Sequence, residues 1–141
     1  MIIDASVWVA AVLEQDAHHA STRAFIRRFV TQAQTAKVPL LAWAEIAGAV
    51  SRRTGDAHKG LQTAHTLATQ TWVEGIPLDE SLAHESVRLA ANLRLRGADA
   101  VYVALAASLK QPLLTLDNEM LERTKGIIDA MTPAQWLERT D

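Results

Sequence analysis

Cysteine is absent from this 141-residue chain. That absence excludes disulfides, thiolate zinc sites, iron–sulfur clusters and cysteine nucleophiles, and it fits a reducing, cytosolic compartment. Long hydrophobic runs are also missing. The apolar stretch 2–13 contains Asp4, has no basic flank and falls short of the ~20 residues that a spanning helix needs, so a soluble, cytoplasmic protein without membrane association is expected. There is no basic excess either. Fourteen Lys and Arg against 16 Asp and Glu give a net charge of −2, which argues against binding nucleic acid through a global positive field. An anionic substrate would have to be met by local arginines and bound cations. Low-complexity tracts, internal repeats and Pro/Gly/Ser-rich linkers are lacking too, so one domain over residues 1–141 is expected. A chain of this length buries roughly 70% of its unfolded surface and needs no covalent staple.

What is present is an alternation of short β-type runs with longer helical patterns, the signature of βαβ units and a parallel sheet. Strands are predicted over 1–3, 37–41, 72–78 and 112–116, with a weaker fifth over 127–130. Helices are predicted over 6–13, 17–35, 43–53 and 57–71. Another runs from a cap at Asp79 or Ser81 to about 95, and one starts near Asp99 and ends around 109. A short one covers 118–124, and Pro133 opens a last helical turn. Phe25, Ile26, Phe29 and Val30 recur at three- and four-residue spacing, which marks an apolar helical stripe. The fold class is a three-layer α/β/α arrangement around a parallel, roughly five-stranded sheet.

In open parallel sheets, ligands bind beyond the carboxyl ends of the strands, where the strand order reverses. Asp4 closes the first strand, Glu45 lies one turn into the helix after the second, and Asp117 closes the fourth. Asp99 begins a helix, and it joins them only if the preceding helix crosses back over the sheet. Two unit charges about 4 Å apart repel by on the order of 4 kcal/mol at an effective dielectric of 20. Such a cluster therefore calls for a cation or for protons. Oxygen-only ligands select hard ions, magnesium, manganese or calcium, and one or two of these can activate water against a phosphodiester. Each acid also has a plain structural explanation: a helix cap for Asp4, Asp99 and Asp117, and a solvated helix position for Glu45.

Taken in order, four segments resemble the PIN-domain family, and within it the VapC-like toxin ribonucleases of type II toxin–antitoxin pairs. They are Asp4-Ala5-Ser6 after the first strand, and Ala44-Glu45-Ile46-Ala47 on a helix ending in Arg52-Arg53. The others are Asp99-Ala100-Val101-Tyr102-Val103-Ala104-Leu105-Ala106 and Leu113-Leu114-Thr115-Leu116-Asp117. The resemblance implies an endoribonuclease with magnesium or manganese held by Asp4, Glu45, Asp99 and Asp117. Ser6 and Thr115 would position water or the metal-bound carboxylates. It further implies an RNA substrate, a homodimer and a cognate antitoxin that covers an apolar groove on the early helices.

Glu119 is a further acid that could join the site, whereas Asp79 reads as a cap. Arg52, Arg53 and Arg96 are the candidates for contacting RNA phosphates, because they lie on or before the elements that carry the acids. Trp8, Val9, Phe25 and Phe29 read as core before groove. Trp43 could stack on a base. His18, His19, His58, His65 and His84 show no metal-ligand spacing and read as surface. A receiver-type domain or an Asp-x-Asp phosphatase would need a second acid where Ala5 or Ser6 stands, and the dinucleotide-binding glycine pattern is missing. The remaining alternative is a catalytically silent PIN-like module that binds RNA or protein without turnover.

Overall fold

The computed structural model describes residues 1–139; Thr140 and Asp141, the end of the expected domain, lie outside it. Five parallel strands form one sheet in the order β3-β2-β1-β4-β5. They are β1 (Ile2–Ile3), β2 (Ala36–Pro39), β3 (Val73–Ile76), β4 (Leu113–Leu114) and β5 (Ala130–Met131). Ile2 pairs with Lys37 on one side and with Leu113 on the other, so the order reverses between β1 and β4.

The helices are α1 (Ala5–Val12), α2 (His19–Thr31), α3 (Leu41–Thr54), α4 (Ala57–Ala68), α5 (Glu80–Leu93), α6 (Gly97–Leu109), α7 (Asn118–Arg123) and α8 (Pro133–Arg139). With the right-handed crossovers that parallel strands adopt, this strand order puts α1 to α4 on one face and α5 to α7 on the other. The packing of α1 on α2 and α3, and of α6 on β1, β2 and β4, agrees with this three-layer arrangement. Phe25 and Phe29 on α2 are fully buried and pack against Trp136 of α8, with ring centroids 5.0 and 6.5 Å apart. The apolar stripe of α2 is therefore core, and Trp8 is buried with it.

Several boundaries differ from the sequence expectation. α2 stops at Thr31, because Ala33 adopts a left-handed backbone (φ 52°) that no helix continues through. β2 gives way to α3 directly after Pro39, two residues earlier than expected. The fifth strand lies at Ala130–Met131 rather than over 127–130, since the Ile127 and Ile128 amides turn back to the Thr124 carbonyl after Gly126 (φ 76°).

Two features bring distant acids to one rim. α5 and α6 are joined by a short turn at Arg94 (φ 56°) and pack as an antiparallel pair, which delivers the start of α6 to the ends of β1 and β4. α3 and α4 approach so closely that a Cβ on buried Gly60 would lie 2.4 Å from the Ala47 carbonyl oxygen. Only glycine fits there, and the contact fixes the helix that carries Glu45.

Candidate active site

Asp4 ends β1 in extended backbone and occupies the cap position of α1, yet its side chain makes no capping bond. Its Oδ2 instead accepts hydrogen bonds from Ser6 Oγ at 2.5 Å and Thr115 Oγ1 at 2.8 Å. The two hydroxyls in turn accept from the backbone of the β4–α7 loop: Ser6 Oγ from the Leu116 amide at 3.1 Å, and Thr115 Oγ1 from the Asp117 amide at 3.0 Å. The sheet's switch point is thus stitched shut around one carboxylate. Asp4 is only 6% exposed. Burial holds its carboxyl above the ordinary range, its hydroxyl donors oppose that shift, and the Asp99 charge adds to it.

Glu45 lies in the second turn of α3, half-buried, and accepts a hydrogen bond of 2.6 Å from the Tyr102 hydroxyl. Burial raises its carboxyl, Tyr102 works against that, and Asp4 and Asp99 raise it further. The Tyr102 phenol is itself pushed far up, first by burial and then by Asp4 and Glu45, so it acts as a donor at any physiological pH.

Asp99 sits in the first turn of α6 without being its cap, a position held by Arg96. Burial raises the Asp99 carboxyl, Arg96 lowers it, and Asp117 and Glu119 raise it. Asp117 does cap α7, accepting from the Met120 amide at 2.9 Å, and it also accepts from Arg96 Nη2 at 2.7 Å. Arg96 Nε reaches Asp99 Oδ2 at 2.8 Å, so one guanidinium bridges two of the acids.

All four predicted acids line a single cleft of about 690 Å³, together with Ser6, Arg52, Arg53 and Arg96. A larger cleft of about 810 Å³ lies between α5 and α6 and contains none of these residues. Arg53 is tied to Asp16 at 2.6 Å, and His18 lies beside them in the acidic cleft. Glu119 forms an exposed pair with Arg123 at 2.6 Å. Asp79 caps α5, as the sequence predicts, accepting from the Leu82 amide at 2.8 Å. Trp43 packs over Gly75 of β3, and the cleft is lined without it. His18, His58, His65 and His84 are exposed, and half-buried His19 meets the Ala10 carbonyl.

Tyr102 joins the candidate site through Glu45 although no sequence expectation gives it a role. The signal for it is that it is the chain's one tyrosine, placed one turn after Asp99 in an otherwise aliphatic helix, and a buried phenol seeks a polar partner.

The donor set fits a hard divalent cation in kind. It is all oxygen, and three of its carboxyls are held above their ordinary range by burial and like charge, a strain that a cation relieves. As the side chains lie, no group of three acids among the described residues is arranged to hold an ion.

The PIN domain family model matches residues 1–127. Among solved structures, the VapC20 toxin of Mycobacterium tuberculosis, described as sarcin–ricin loop cleaving, superposes with a TM-score of 0.73 at 16% identity, over 86% of this chain and 92% of that one. The VapBC2 complex of Rickettsia felis bound to promoter DNA gives 0.70 at 12% identity over 93% and 96% of the two chains. A toxin–antitoxin complex from Klebsiella pneumoniae gives 0.64 at 16% identity over 94% and 96%. No curated protein sequence matches the chain. With the matching model covering nearly its whole length, and with the fold of the VapC toxins around its acidic cleft, this chain belongs to the PIN-domain family.

Proposed function

We propose that this protein is a divalent-metal-dependent endoribonuclease and the toxin of a type II toxin–antitoxin pair, acting in the cytoplasm as a single PIN domain and as a homodimer. The observation that carries the reading is the convergence of Asp4, Glu45, Asp99 and Asp117 on one cleft at the β1/β4 switch point. Magnesium or manganese bound by these acids would supply charge neutralisation at an RNA phosphate and activation of water. Ser6 and Thr115 fix the orientation of Asp4, and Tyr102 fixes that of Glu45, so these two acids are held in place before any substrate arrives. Arg52, Arg53 and Arg96 line the same cleft and are proposed to meet RNA phosphates. Among the described residues Arg52 has no carboxylate partner, which makes it the most available of the three.

An antitoxin partner is supported by a separate apolar cleft of about 390 Å³ between α1, α2 and α4, lined by Trp8, Ile26, Leu67 and Trp72 with Arg23 and Lys59 beside them. The indole Nε1 of Trp8 is buried there without a hydrogen-bond partner. The solved toxin–antitoxin complexes of this fold add to that support.

The alternative, a module that binds without turnover, is favoured by one observation: Arg96 already bridges Asp99 and Asp117 and offsets one of their two negative charges. Purified protein and Asp99→Asn incubated with RNA in magnesium, manganese or chelator separate the two. Metal-dependent cleavage lost in Asp99→Asn supports the nuclease; RNA binding unchanged by metal, without cleavage, supports the module. A single molecular mass in light scattering, twice that of the chain, tests the dimer.

A further inference from the structure

Arg96 spans two acids that come from different elements, Asp99 in the first turn of α6 and Asp117 at the cap of α7, with one hydrogen bond to an Oδ2 of each. The arginine is 70% exposed, whereas the carboxylates it joins are 17% and 25% exposed. The guanidinium therefore reaches inward from solvent and can withdraw without unpacking the core. The other two acids hold no cation among the described residues: Asp4 is met by hydroxyls and Glu45 by the Tyr102 phenol.

From this we infer that Arg96 is a resident counter-cation, occupying the Oδ2 atoms of Asp99 and Asp117 in competition with a divalent ion, which must displace it to use them. The inference rests on the metal-site reading above. One oxygen lone pair cannot serve a guanidinium N–H and an ion together, and a forked donor fills that position on both acids at once. Exposed ion pairs are weak, so the displacement is easy and the competition modest. It offsets one of the two negative charges of Asp99 and Asp117 in the metal-free protein and sets the ion concentration at which their oxygens are released. Once displaced, Arg96 stands at the cleft mouth, where an RNA phosphate would meet it.

The test is manganese binding to the full chain, read from the EPR signal of free Mn²⁺, for wild type, Arg96→Gln, Arg96→Lys and Asp4→Asn. Competition predicts that Arg96→Gln binds Mn²⁺ about three- to tenfold more tightly, the scale of a weak exposed pair. Arg96→Lys keeps the charge but loses the fork and should fall between the two. Arg96→Gln should also melt below wild type in chelator, with the gap closing in saturating Mn²⁺. Equal or weaker binding by Arg96→Gln overturns the inference while leaving the metal site standing, as does an Arg96→Lys protein indistinguishable from wild type. If Arg96→Gln fails to fold, Arg96→Lys decides alone, and only tighter binding supports competition. Absence of saturable binding in wild type and both Arg96 variants, or binding untouched by Asp4→Asn, overturns the metal-site reading and this inference together.

Discussion

The Tyr102 hydroxyl donates a 2.6 Å hydrogen bond to Glu45 Oε2, joining α6 to α3 across 57 residues of sequence. The bond favours the ionised form of a carboxyl that burial otherwise pushes upward. Tyr102→Phe should therefore move the acid limb of the pH–rate profile for RNA cleavage to higher pH. It should also cost about 1 kcal/mol of stability, the usual net worth of one hydrogen bond. A pH profile measured beside thermal melts checks both; an unmoved acid limb would remove Tyr102 from the control of Glu45.

The Asp4 carboxyl is raised by burial, and the sign of its effect on stability follows from linkage. A carboxyl raised on folding contributes stability that is fully present below its unfolded pKa and lost as pH rises through its folded value. Near neutral pH Asp4 thus costs the metal-free protein stability, and Asp4→Asn should melt above wild type in chelator. The gap should shrink as pH falls towards the ordinary carboxylate range. Melting curves from pH 4 to 8 are the measurement, and an Asp4→Asn protein melting below wild type at pH 7 would contradict the assignment.

Thr115 is fully buried, donates to Asp4 and accepts from the Asp117 amide. Thr115→Val removes both bonds at nearly constant volume. The change should cost about 1–3 kcal/mol for the groups left unpaired and weaken manganese affinity by about 10- to 100-fold. Denaturant unfolding and metal titration test the two effects separately.

Gly60→Ala places a methyl where the Ala47 carbonyl oxygen lies 2.4 Å away, so α3 and α4 must part. The expected loss is about 1–3 kcal/mol, with reduced cleavage because Glu45 moves with α3. Stability equal to wild type would show that the helix pair yields freely.

Thr66 lies on the exposed surface of α4 and lines the apolar cleft with Trp8 and Trp72. Thr66→Glu should leave RNA cleavage unchanged and abolish neutralisation by a cognate antitoxin. Growth assays with and without co-expression measure this, and continued neutralisation would place the partner elsewhere.

How much was readable beforehand differs from residue to residue. Asp4 and Asp117 could be placed because each follows a short apolar run, and a parallel sheet brings strand ends to one rim. Glu45 stood out as a lone charge among apolar helix neighbours. The arrival of Asp99 was not readable, since it depends on α5 and α6 folding back as a pair, and side-chain period says nothing of how two helices cross. For the same reason Tyr102 could be placed one turn from Asp99 but not against Glu45. The bridging of Asp99 and Asp117 by Arg96 was likewise hidden, because it joins two helix starts 21 residues from each other along the chain. The fifth strand was displaced because Ile127 and Ile128 look like strand residues, whereas the Thr124 carbonyl holds their amides in a turn.

Metal-dependent RNA hydrolysis is tested most simply by cleavage of a mixed RNA pool by purified protein in magnesium, manganese or chelator, beside Asp99→Asn. Discrete cuts that require the divalent ion and vanish in the folded variant are expected. Cuts that persist in chelator, or that Asp99→Asn makes as well as wild type, would contradict a nuclease built on these acids.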